Sequence, residues 1–89
     1  MLTRSNRNIQ FTKLLKADGR LREFNFRKAA GIQGDLFTVD VSDDRGNRIM
    51  FRMHKADGVW KIAEQTLPDW VRENESSYND LIEEELRYI

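Results

Sequence analysis

Cysteine is absent from this 89-residue chain, histidine and proline occur once each, and glycine only five times. Without cysteine there is no disulfide staple and no thiolate metal site, so an apolar core must carry the fold unaided. A chain of this length makes one domain, near the small end of what folds alone. Long hydrophobic runs are missing too. No stretch approaches the roughly 20 residues of a membrane-spanning helix, and the opening MLTRSNRNIQF lacks the apolar segment of a secretion signal. The expected protein is soluble and cytoplasmic, without membrane contact.

Chemistry-bearing residues are equally scarce. The single histidine, His54, falls at an outward strand position beside a turn, and no nucleophile or orienting acid accompanies it. It reads as a surface residue. Asp80 with Glu83, Glu84 and Glu85 sets carboxylates one helical turn apart, but without a histidine or second acidic cluster this reads as a solvated face. The stretch DVSDDRGN (40–47) lacks the alternating oxygen spacing of a calcium loop. Gly31 and Gly34 do not join a strand to a helix, as a phosphate-cradling loop requires. Asn74-Glu75-Ser76 fits the glycosylation pattern but comes without a secretion signal. The chain is expected to be a non-enzyme, with no cofactor and no metal.

Charge is present in quantity and unevenly placed. Fifteen basic and fifteen acidic residues cancel overall, yet residues 1–34 carry eight basic against two acidic and residues 35–89 seven against thirteen. Such a division either neutralises itself within one fold or marks a basic arm that seeks polyanions or a head-to-tail partner surface. Residues 1–8, with Arg4 and Arg7, read as a flexible basic arm ahead of a single domain over 9–89.

KADG occurs twice, at 16–19 and 55–58, each time between alternating stretches. RIMFRMH before the second copy and VWKIAE after it place Ile49, Phe51, Met53, Trp60 and Ile62 on one parity, the pattern of half-buried strands. A four-residue loop at Lys55–Gly58 would oppose Met53 to Trp60 and Phe51 to Ile62. The same loop at Lys16–Gly19 would oppose Phe11 to Phe24 and Ile9 to Phe26. Four-residue loops are commonly built on a type I turn, with glycine at the left-handed position that follows. Facing differs between the copies: Leu14 and Leu21 correspond to Met53 and Trp60, but point the other way. KADG is therefore turn chemistry used twice, not a duplicated unit.

A third hairpin lies between them. A three-residue loop, Asp44-Arg45-Gly46, opposes Val41 to Ile49, Val39 to Phe51 and Phe37 to Met53, with Gly46 left-handed. The five expected strands are 9–15, 20–28, 35–42, 47–54 and 59–64, with a longer loop across RKAAGIQGDL (27–36). Consecutive strands usually pair, which gives an antiparallel meander.

After Glu64 the period changes. Trp70, Val71, Tyr78, Leu81, Ile82 and Ile89 recur at helical spacing. Pro68 suits a first turn, Thr66 with Asp69 resembles a capping box, and Ser77 with Asp80 could cap anew after the polar Asn74–Ser77. One kinked helix and two short ones both fit. Packed on the apolar sheet face, it completes an α+β fold, with both tryptophans as core anchors.

Two functions of different class remain. The first is a small non-enzymatic interaction domain for a protein partner or for a second copy of itself, since a meander has two sheet edges with unpaired backbone. The second is single-stranded nucleic-acid binding through an outward polyanion-binding face of Arg27, Arg48, Arg52 and Lys61. At the level of topology, REFNFRK (22–28) and FTVDVSDDRG (37–46) resemble strands of the whirly-type single-strand binders and the PUR repeat. No motif is shared residue by residue, so no site carries over. All large aromatics of the strands fall on the core parity, which leaves bases little to stack on.

Overall fold

The computed structural model describes residues 9–28, 36–64 and 66–88. Five strands, β1 Gln10–Ala17, β2 Arg20–Lys28, β3 Leu36–Ser42, β4 Arg48–Ala56 and β5 Val59–Ile62, precede two helices, α1 Asp69–Arg72 and α2 Glu75–Arg87. The strands form one antiparallel sheet in chain order, β1-β2-β3-β4-β5, and the fold is the expected α+β meander with a C-terminal helix. The expected basic arm (1–8) and the two loop glycines, Gly31 and Gly34, lie outside the described residues.

Both KADG turns are shorter than the four-residue loops that alternation suggested. Ala17 pairs with Arg20 and Ala56 with Val59, leaving only Asp18-Gly19 and Asp57-Gly58 as loops. All four loop residues have positive φ, 55° and 82° in the first and 55° and 81° in the second. That is the mirror-image type I′ turn, whose twist matches the right-handed twist of flanking strands. Aspartate tolerates the left-handed region better than most residues, and so permits it. Each loop is shorter by two, so cross-strand partners shift by two. Phe11 faces Phe26 and Lys13 faces Phe24, while Met53 faces Ile62 and Lys55 faces Trp60. A shift of two leaves every inside and outside unchanged, because side chains alternate with period two.

Replacing Gly19 or Gly58 by valine is expected to cost about 1–2 kcal/mol each through left-handed strain. A Cβ at either position meets nothing within 4 Å, so a clash cannot be the cause. The measurement is the urea midpoint, and two unchanged midpoints would rule the turn geometry out.

The β3–β4 hairpin has the register its sequence implies, Val41 to Ile49, Val39 to Phe51 and Phe37 to Met53. Gly46 is left-handed at φ 85°. Asp43 ties the loop by accepting the N–H groups of Arg45 at 2.9 Å and Asn47 at 2.8 Å. These bonds, that of Asn47 foremost, hold its carboxyl below the usual range.

The apolar parity of β2–β5 closes over α1 and α2. Phe24, Phe26, Phe37, Val39, Val41, Phe51, Met53 and Trp60 are buried with Val71, Tyr78 and Ile82. Two helices form rather than one, because Asn74 at φ −100°, ψ 17° interrupts them. Its side-chain amide donates to the Trp70 carbonyl at 3.4 Å, an alternative to helical bonding that asparagine often takes. The expected caps do not form. Pro68 stands just ahead of α1 instead of in its first turn, and neither it nor Asn74, the residue ahead of α2, makes a side-chain cap bond. Trp70 is half-buried rather than a core anchor, lying under the Arg22 guanidinium at 4.6 Å.

Candidate binding face

The outward parity of the sheet gathers the cations singled out in the sequence. Gln10, Arg27, Thr38 and Arg52 follow one another across β1 to β4 as direct cross-strand partners. Arg27 and Arg52 therefore lie two strand spacings, about 10 Å, apart. Lys61 sits opposite His54 on the same face. Arg48 belongs to a different row. Its guanidinium reaches Asp40 at 3.5 Å, and Asp40 also accepts the Asn25 amide at 3.0 Å. Arg52 is held by Glu64, which accepts both its backbone N–H at 2.7 Å and its Nε–H at 2.9 Å. Partial burial pushes the Glu64 carboxyl up, but these two bonds outweigh it and leave it below the usual range. Of the four cations, two are neutralised within the molecule. Among the described residues, Arg27 and Lys61 have no ion-pair partner.

Where β2 and β3 part company, a cleft of about 420 Å³ opens on this face. Ladder pairing between them ends at Asn25 and Asp40. Arg20 and Arg22 both bridge from β2 to Asp44 in the β3–β4 turn, at 3.1 and 3.0 Å. Arg22 was not legible as special. It occupies a core-parity position, is only 7% exposed in its side chain, donates to the Ala17 carbonyl at 2.9 Å and lies over Trp70. One guanidinium thus clasps two turns and α1. Each arginine lining the cleft already has its carboxylate, so the cleft reads as an internal clasp.

Sheet edges are the other place where a chain can bind, and here they differ. The alternation of ladder bonds decides which backbone groups face outward. On β5, Ala63 N–H donates to Arg52 at 2.8 Å, which turns Trp60 and Ile62 N–H away from β4. Both are taken by α2: Trp60 N–H by Asn79 at 2.9 Å and Ile62 N–H by Glu75 at 2.8 Å. Glu83 completes the seal, accepting the Trp60 indole N–H at 2.8 Å beside Lys55 at 3.0 Å. The Lys55 contact first, then the indole, hold the Glu83 carboxyl below the usual range. The acidic helix face is therefore partly structural. Among the described residues no group of three metal-ligating side chains converges.

On β1 the same logic gives the opposite result. Lys28 N–H donates to Ile9 at 2.9 Å, so the odd residues of β1 bond to β2 while Gln10, Thr12, Leu14 and Lys16 turn their backbone groups to the outer edge. No described residue pairs with that edge. It is eight residues long against four for β5. Leu14, 60% exposed, and Leu21, 65% exposed, lie beside it on the outward face. His54 is exposed, as its parity implies. None of the described helices is long and apolar enough to cross a membrane.

No family model matches the chain, and no curated protein or solved structure resembles it significantly.

Proposed function

We propose that this protein is a small non-enzymatic interaction domain of the cytoplasm, which receives an extended segment of a partner protein along β1. The observation that carries it is the unequal treatment of the two sheet edges. Side chains of α2 occupy the outward backbone of β5, whereas four alternate residues of β1 turn backbone groups outward that no described residue meets. An open edge is a template for another strand: main-chain bonds supply affinity and alternate side chains supply selectivity.

The alternative is single-stranded nucleic acid on the outward face. Arg27, Arg48, Arg52 and Lys61 are the cations available, and two already have carboxylates. Among the described residues the exposed ring beside them is the His54 imidazole, opposite Lys61; Phe24, Phe26, Phe37, Phe51 and Trp60 are buried on the other side. Stacking, the larger sequence-tolerant term, has that one imidazole and no larger ring to use.

Affinity purification from the native host separates the two. Tagged wild-type protein and Leu14→Pro are compared, each with and without nuclease. Leu14 N–H points away from β2, so proline there spares the β1–β2 ladder while blocking the edge. Capture of a protein partner is expected to resist nuclease and to vanish in Leu14→Pro, whose melting temperature stays near wild type. Retention by Leu14→Pro sinks the edge reading. Nuclease-sensitive capture supports the nucleic-acid alternative.

A further inference from the structure

We infer that the segment received by β1 is acidic, with carboxylates placed opposite Lys13 and Lys16; this rests on the strand-addition reading above. β1 reads QFTKLLKA and contains no acidic residue. Arg27, opposite Gln10, and Lys28, bonded to Ile9, extend the same sign. Glu23, opposite Leu14, is the only acid in β2. Among the described residues no carboxylate comes within ion-pair distance of Lys13 or Lys16.

Lys13 is the selective element. It points to the apolar side of the sheet, half-buried between Phe11 and Leu15 on the same strand. An inward charge on an edge strand deters indiscriminate pairing. A neutral incoming strand would cover this ammonium without compensating it, which is unfavourable. An acid directly opposite removes that cost, so the same lysine that rejects most strands admits an acidic one. A second copy of β1 fails this test, since it would bring four lysines and no carboxylate into one ladder.

Position by position, an antiparallel segment should be acidic opposite Lys16, apolar opposite Leu15 and Leu14, acidic opposite Lys13, polar opposite Thr12 and apolar opposite Phe11. The blocked peptide EILETVT has this order, and KILKTVT and QILQTVT are its basic and neutral counterparts. Each is titrated into the ¹⁵N-labelled protein at low salt. EILETVT is expected to bind at least about tenfold tighter than KILKTVT, shifting the edge amides of Gln10, Thr12, Leu14 and Lys16. The gap should close near about 1 M salt, and Lys13→Glu should narrow or reverse it. Equal binding of all three peptides at those amides overturns the acidic preference and leaves strand addition standing. Shifts confined to Arg27, Arg52 and Lys61 overturn it as well, because the peptide would then act as a polyanion on the outward face. No shift at the edge amides for any peptide overturns strand addition itself.

Discussion

Phe51→Ala is expected to remove about 3–5 kcal/mol of stability, while Met50→Ala, one residue earlier, is expected to remove no more than about 0.5 kcal/mol. The two residues are neighbours on one strand and face opposite sides of the sheet. Phe51 is 1% exposed, opposite Val39 and with its ring 5.3 Å from that of Tyr78. Truncating it leaves a cavity at the junction of sheet and helix, which the surrounding strands cannot close without breaking register. Met50 is 54% exposed on the outward face. For a domain of this size the first loss approaches the whole folding free energy. Phe51→Leu, which keeps most of the volume, should fall between the two and still give a readable transition. Urea midpoints of the three variants decide the matter. A larger loss at position 50 than at position 51 would mean that the strand faces the other way, and equal losses would remove the support for either facing.

Alternation made this facing legible from the sequence, and it survived an error in loop length. The KADG turns look like four-residue loops if glycine alone is allowed a left-handed conformation. Asp18 and Asp57 adopt it as well, because the sheet twist rewards a mirror-image turn. The resulting slip is two residues, so Phe24, Phe26, Met53 and Trp60 remain inside although each partner across those two turns changes. The β3–β4 hairpin came out in its expected register because Gly46 and the Asp43 side chain both specify a three-residue loop.

What the sequence hid depends on contacts between distant elements. Arg22 stands at a core position of β2, and only the folded chain brings Ala17, Asp44 and Trp70 around it. A charged residue in line with Phe24 and Phe26 was the available signal, and Lys13, in line with Phe11 and Leu15, carries the same one. The sealing of β5 was also invisible. Glu75, Asn79 and Glu83 look like an ordinary solvated helix face until α2 lies against the strand and they meet Ile62, Trp60 and Lys55. The outward cations were located correctly as a face, but their pairing with Asp40 and Glu64 follows from cross-strand register, which one-residue patterns do not reveal.

Tyr78 tests the helix–sheet junction from the other side. Tyr78→Ala is expected to cost about 3–5 kcal/mol. The ring is 0% exposed and packs within 5.3 Å of Phe24 and Phe51 and 6.4 Å of Phe26, centroid to centroid. Its hydroxyl donates to the Val71 carbonyl at 2.8 Å, tying α2 back to α1 across the interruption at Asn74. Tyr78→Phe keeps the ring and loses only this bond, and should cost about 1–2 kcal/mol. Val71 would retain the weaker approach of Asn74 N–H at 3.3 Å. Burial pushes the Tyr78 hydroxyl above its ordinary range, favouring the neutral form in the folded state. A tyrosine in the unfolded chain ionises near about pH 10, so this contribution is complete below that pH and is lost as pH rises beyond it. Wild-type melting temperature should therefore fall more steeply above about pH 10 than that of Tyr78→Phe, with the two curves converging. Parallel curves would show that the Tyr78 hydroxyl reaches solvent, and that α2 does not seat on the sheet as described.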